Sequence, residues 1–259
     1  MSHKNIAIVT GANSGFGKEF LKLLVNEEEI TEIWAIARNK ERLNQLMDEF
    51  GSKVKIFSKD LSKLEEVKKI DTFLSKENIC IKYLVNNAGF AKFCSYNDLS
   101  IDESINMIDL NIMAVVAMGL ICIPYMKKGS HIINVSSQAS FQPLPYQNIY
   151  SSTKAFVRNY TRALNVELKD KGINAIAVCP GWMSTNLFER GIVKAKKGTK
   201  KFSGIVTPDV VAVKALKDTK KNKDISVYGI NTKSSHLLAK LLPQKMVMKV
   251  WLKQQHIKE

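Results

Sequence analysis

Cysteine is scarce in this chain: Cys80, Cys94, Cys122 and Cys179 stand far apart among 259 residues, with no C-x-x-C pair. Such scatter excludes a disulfide framework or a cysteine zinc site as the organising device, and reduced thiols in a cytoplasmic compartment are expected. Histidine is equally sparse. His3, His131, His236 and His256 have no mutual spacing suited to a metal, so no metal is expected. No uninterrupted apolar run reaches the ~18 residues that span a bilayer. Met1–Asn5 runs straight into the apolar Ile6–Val9, which is not the pattern of a secretory signal. Repeats, low-complexity tracts and Pro/Gly/Ser linkers are also missing, so one domain over residues 1–259 is expected.

Acids run short in one region only. Residues 191–259 carry 16 Lys against Asp209, Asp218, Asp224 and Glu259, which places +12 of the net +15 in the last quarter. A lysine-rich solvated face is the simpler account; attraction to phosphates, nucleic acid, anionic lipid or an acidic substrate is the alternative. No nucleic-acid partner is expected. Elsewhere the composition is ordinary for a folded globular protein, with 45% hydrophobic and 24% charged residues.

Strand-length apolar runs recur from end to end: Ile6–Val9, Ile33–Ala37, Val54–Phe57, Ile81–Val85, Ile132–Val135, Ala175–Val178 and Ile225–Tyr228. Their near-continuous apolar character suits strands covered on both faces. Amphipathic stretches separate them, at Gly17–Val25, Lys40–Phe50, Lys63–Leu74, Asp102–Met126, Tyr150–Lys171 and Pro208–Thr219. This alternation predicts an α/β fold, a doubly wound parallel sheet with helices on both faces. A tail at residues 234–259 departs from it. Leu237, Leu238, Leu241 and Leu242 form an apolar stripe, Pro243 breaks the helix, and Lys245, Lys249 and Lys253 recur beside Met246, Val247, Val250 and Trp251. Such a basic amphipathic helix either packs as a lid on its own domain or a second subunit, or touches a membrane surface.

Between the first strand and the first helix lies Thr10-Gly11-Ala12-Asn13-Ser14-Gly15-Phe16-Gly17. Gly11 permits a tight turn, Gly15 a close backbone approach to phosphate, and Gly17 close packing of helix on strand. The helix N-terminus then offers free N–H groups to a pyrophosphate. The second strand ends Ala35-Ile36-Ala37-Arg38-Asn39, without the carboxylate that reads a ribose 2′-hydroxyl. Arg38 can instead pair with a 2′-phosphate, so NADP(H) is expected over NAD(H).

Tyr150 and Lys154 stand four residues apart on an expected helix and so share a face. An ammonium beside a phenol favours phenolate and lowers its pKa from ~10. By itself Y-x-x-x-K is common. Its weight comes from Asn134-Val135-Ser136-Ser137 at the end of the fifth strand, because ligands of open α/β sheets lie beyond the carboxyl ends of the strands.

With these pieces assembled, the sequence resembles the short-chain dehydrogenase/reductase family in its single-domain form. The likeness rests on T-G-x-x-x-G-x-G at 10–17, Asp60-Leu61, Asn86-Asn87-Ala88-Gly89, Asn111, Asn134–Ser137, Tyr150/Lys154, and Pro180-Gly181 with Thr185, spread over residues 5–230. It implies a Rossmann-like sheet of about seven strands, and a catalytic set of Asn111, Ser137, Tyr150 and Lys154. Ser137 would orient the substrate oxygen, Tyr150 exchange its proton, Lys154 bind ribose and hold the tyrosine pKa down, and Asn111 support a water-linked relay. It further implies cofactor contacts from Gly11, Asn13, Ser14, Gly15, Phe16, Gly17, Arg38, Asp60, Leu61, Asn87, Ala88, Gly89, Tyr150, Lys154, Pro180, Gly181 and Thr185. Ser14 departs from members with a basic residue there, leaving Arg38 to carry the phosphate preference largely alone.

The expected function is an NADP(H)-dependent interconversion of a hydrophobic ketone or aldehyde and its alcohol. Phe141, Pro143, Leu144 and Pro145 are expected at the pocket mouth. A substrate loop is expected at residues 185–206, with Phe188, Ile192, Val193, Phe202 and Ile205 as its apolar content. The alternatives are an NADP(H)-sensing regulator and a membrane-surface member using the basic tail. Helices Asp102–Met126 and Tyr150–Lys171 are those the family uses for homodimers and homotetramers.

Overall fold

The computed structural model describes residues 3–13, 15–185, 187, 191, 198, 199 and 201–257. Ser14 and the loop residues Phe188, Ile192 and Val193, all singled out above, lie outside the described residues.

Seven parallel strands form one sheet: β1 (Lys4–Thr10), β2 (Glu32–Ala37), β3 (Val54–Ser58), β4 (Ile79–Asn86), β5 (His131–Val135), β6 (Asn174–Val178) and β7 (Ile225–Ser226). Their order is β3-β2-β1-β4-β5-β6-β7. The order reverses at β1, which pairs with β2 on one side and β4 on the other, and the crevice at such a switch point is where ligands bind. The expected doubly wound fold is present.

Helices α1 (Gly15–Val25), α2 (Lys40–Phe50), α3 (Leu64–Leu74), α4 (Ile101–Ile108), α5 (Ala114–Cys122), α6 (Asn148–Glu167) and α7 (Pro208–Lys220) cover the sheet. Phe20, Leu24 and Leu43 join Val211 and Leu216 of α7 in a core on one face. Val67, Ile70, Met118 and Leu164 pack on the other face with Ile8, Ile81 and Ile132. Because both faces are covered, β5 and β6 are buried at every residue, and they read as apolar runs interrupted only by His131, Asn134 and Asn174.

Three boundaries depart from the sequence expectation. Asp102–Met126 is not one uniform helix; α4 passes through a π turn at Asp109–Met113 into α5 and ends in a 3₁₀ turn. By length and composition the joined helix Ile101–Tyr125 is long and apolar enough to cross a bilayer. Here its apolar side, with Met107, Val115, Met118 and Cys122, is buried in the protein core instead. The helix expected through Lys171 stops at Glu167, where Gly172 (φ 65°) closes a 3₁₀ turn. β7 spans two residues because Gly229 (φ 82°) already turns the chain into the tail. The tail is two helices, α8 (Ile230–Leu241) and α9 (Gln244–Gln254). Leu242 between them is extended, as a residue before proline must be.

Candidate active site

The glycine turn is built from the strand ends upward. Gly11 (φ 64°) and Gly15 (φ 53°) take left-handed conformations that side-chain-bearing residues rarely adopt. A Cβ on Gly11 would sit 2.8 Å from Asn87 Nδ2, and one on Gly17 would overlap the Gly11 carbonyl. The Thr10 hydroxyl accepts from the backbone N–H groups of Asn87 (2.9 Å) and Ala88 (3.0 Å), and Asn87 Nδ2 donates to the Thr10 carbonyl (3.0 Å). These bonds tie the ends of β1 and β4 into one cradle. Thr185 closes over it, 3.4 Å from where a Gly15 Cβ would stand.

Ser137, Tyr150 and Lys154 converge beyond β5. The Ser136 hydroxyl donates to the Lys154 carbonyl (2.7 Å), fixing α6 against that strand end. Lys154 is buried, and its ammonium donates to the Val135 carbonyl (2.8 Å). Burial lowers its pKa from 10.5 to about 8. Burial pushes the Tyr150 phenol above 10.0, while the Ser137 hydroxyl hydrogen-bonded to it pulls the other way. The expected depression of that phenol by Lys154 is therefore absent from this geometry. One ammonium N–H goes to the Val135 carbonyl, and the group stands 5.9 Å from the Tyr150 ring centroid.

Asn111 sits in the π turn, fully buried, away from the cavity surface. Its Nδ2 donates to the Phe90 carbonyl (3.0 Å) and the Thr153 hydroxyl (3.1 Å), and its Oδ1 accepts from Phe90 N–H (3.1 Å). Both amide hydrogens are used, so its visible task is to brace the Gly89–Phe90 bend against α6.

All three convergent groups face one cavity of about 670 Å³. Gly11, Asn13, Gly15, Phe16, Arg38, Leu61, Asn87, Ala88, Gly89, Pro180, Gly181 and Thr185 also line it, as the sequence led us to expect. Gly17 and Asp60 do not. Gly17 supports the turn from behind, and Asp60 Oδ1 accepts from the Ser62 hydroxyl (2.8 Å) and N–H (3.2 Å). At the Arg38 end the structure adds Arg42 and Lys59, which the sequence reading missed. An arginine one turn into α2 was a readable signal; Lys59 was not, because it comes from the end of β3.

The opposite end is apolar. Phe93 meets Tyr150, Trp182 and Phe202 with ring centroids 5.5–6.1 Å apart. Leu144, Leu187 and, from α9, Trp251 complete this lining, and the Trp251 indole N–H donates to the Pro145 carbonyl (3.1 Å). Phe141 does not reach it; the ring stacks on His236 at 3.9 Å on the far side of the loop. Ile205 is exposed. Gln147 is one of several polar lining residues that the sequence reading did not foresee. It is buried, its Nε2 donates to the Thr199 hydroxyl (2.8 Å), and its Oε1 has no hydrogen-bond partner among the described residues.

A family profile described as short chain dehydrogenase matches residues 5–194. The chain belongs to the short-chain dehydrogenase family. An uncharacterized oxidoreductase of Staphylococcus epidermidis is 31% identical over 193 residues, 72% of this chain and 81% of that protein. A very-long-chain 3-oxoacyl-CoA reductase of Anas platyrhynchos is 34% identical over 194 residues, 70% of this chain and 60% of that one. A short-chain dehydrogenase of Sphingobium yanoikuyae, solved with NADPH, superposes with a TM-score of 0.76 at 23% identity, over 93% of this chain and 96% of its own. This short-chain dehydrogenase is accordingly an oxidoreductase, and solved proteins of similar fold hold a nicotinamide cofactor, NAD or NADP. The cavity fits that group: a glycine cradle that a Cβ would fill at one side, a cationic end at Arg38 and Arg42, and a buried ammonium beyond.

Proposed function

We propose that the protein is an NADP(H)-dependent reductase or dehydrogenase for an apolar ketone or aldehyde and its alcohol. The observation that carries this reading is the single cavity that puts a phenol, a serine hydroxyl and a buried ammonium between a cationic end and an aromatic one. When bound, the cofactor supplies or takes up the hydride. The glycine turn would cradle its pyrophosphate, Arg38 and Arg42 its 2′-phosphate, and the Lys154 ammonium its ribose hydroxyls. Ser137 Oγ holds the substrate oxygen, and Tyr150 Oη gives that oxygen a proton in reduction or takes it in oxidation. Asn111 positions the loop that carries Gly89. Phe93, Trp182 and Trp251 hold the apolar part of the substrate and exclude water.

An intact set of proton-handling groups favours an enzyme over a cofactor sensor. We further propose a cytoplasmic location and a homodimer or homotetramer. The test is NADPH oxidation against ketones and aldehydes of increasing apolar length, repeated with NADH. Turnover that rises with apolar length and prefers NADPH supports the reading; tight NADPH binding with no turnover on any carbonyl makes the protein a sensor.

A further inference from the structure

We propose that the outer faces of α8 and α9 are a docking surface for an anionic lipid bilayer, independent of which carbonyl the site reduces. Leu237, Leu238 and Leu241 on α8 are each more than half exposed, and Ile230 lies one turn-pair earlier on the same stripe at 82%. Met246 and Val250, one turn apart on α9, are about half exposed. These residues are not waiting for the rest of the domain. The inner faces of the same helices are already seated, with Thr232, Val247 and Trp251 buried and the Trp251 N–H bonded to Pro145. Exposed apolar stripes left in water on two successive helices mark an interaction surface.

Charge decides the occupant. Between Ile230 and Gln254 stand Lys233, Lys240, Lys245, Lys249 and Lys253 and not one acid. None of the five forms an ion pair among the described residues. The acids just upstream are committed elsewhere, Asp218 to Lys214 and Lys223, and Asp224 to Arg162. A second copy meeting this face about a two-fold axis would set lysines against lysines, which electrostatics opposes. A bilayer takes both features at once. Leucines enter the acyl boundary while lysine stems run along it and keep their ammonium groups among lipid phosphates. The inner sides of these helices line the cavity through Thr232, Ser235, Trp251 and Gln254, so docking brings the cavity mouth close to the membrane.

The experiment is sedimentation of the full chain with vesicles of phosphatidylcholine alone and of equal parts phosphatidylcholine and phosphatidylglycerol. Binding is expected only to the anionic vesicles, falling about tenfold or more when high salt shortens the Debye length. Leu238→Asp with Leu241→Asp should abolish it, and Lys245→Gln with Lys249→Gln and Lys253→Gln should weaken it strongly. Unchanged melting and unchanged NADPH binding would show that both variants fold. No binding to anionic vesicles at low salt overturns the proposal. So does binding that survives the leucine substitutions, equal binding to soluble polyglutamate, or a parent dimer that falls apart in the leucine variant.

Discussion

Lys154 is the residue where stability and activity pull apart. Its ammonium is buried with one carbonyl partner, and its folded pKa of about 8 lies below the ordinary 10.5. Below pH 8 both folded and unfolded chains carry that proton, and the drop corresponds to a destabilisation of about 3 kcal/mol, fully present there. Between about pH 8 and 10.5 the folded chain releases its proton first, so stability recovers as pH rises. Lys154→Met should therefore melt above the parent at pH 7, with the difference shrinking through that window, while turnover collapses. Parallel melting curves of the cofactor-free proteins across pH check the sign; a constant difference would show that Lys154 is not titrating there. Tyr150→Phe should lose turnover by about 10²–10⁴-fold, the worth of a general acid, with NADPH affinity close to the parent's. Turnover within a few-fold of the parent would remove Tyr150 from the proton step. At the other end, Arg42 lines the cavity beside Arg38, so the two should share a 2′-phosphate. Arg38→Asp should cost about one to two powers of ten in NADPH affinity, the value of a charge-assisted bond, and adding Arg42→Ala should complete the shift toward NADH. Calorimetric titration of both cofactors into both variants reads this directly.

At the scale of elements, the strands were legible because burial on both faces leaves a near-continuous apolar signature, which β5 and β6 carry at every residue but His131, Asn134 and Asn174. Ser137, Tyr150 and Lys154 were legible because a strand end and a helix start keep their spacing in sequence. What sequence could not show depends on distant elements meeting. Trp251 reaches the cavity from α9, and Lys59 from the end of β3. Asp60 Oδ1 also caps a local turn with Ser62, a task that a carboxylate after a strand does not announce in sequence. The tail resolves in favour of packing on its own domain, at least for its inner face. Gln255 accepts from Lys201 N–H (2.9 Å) and donates to the Lys201 carbonyl (3.1 Å), pinning the substrate-loop segment to the end of α9. Trp251→Ala should therefore act on both stability and substrate. Truncating a buried tryptophan costs about 3–5 kcal/mol, which calorimetry should register as a lower Tm. KM for long apolar carbonyls should rise more than KM for short ones, with kcat less affected. Equal effects on both would mean that Trp251 supports the fold without touching substrate.

Among the described residues, two of the places that expose apolar side chains differ in charge. One is the basic face of α8 and α9; the other lies on α5 and α6. There Gly119 packs close enough to Tyr160 that an added Cβ would stand 3.3 Å from its hydroxyl, and Tyr160 stacks in turn on Phe156 at 5.9 Å. Leu120 and Phe156, neighbours of that contact, are both exposed. This patch differs from the tail in charge. α5 carries no ionisable side chain except the buried Cys122, so self-association here meets no wall of lysines. An isologous contact needs a self-complementary apolar patch, and two helices packed at a glycine give a flat one. The homo-oligomer should form through this patch, with the tail faces left free. Light scattering of the parent should give a dimer or tetramer, and Phe156→Asp with Leu120→Asp should give a monomer that keeps its NADPH affinity. Leu238→Asp with Leu241→Asp should leave the oligomer intact. A monomeric parent, or an oligomer that survives the first pair and dissolves with the second, would reverse the assignment of the two surfaces.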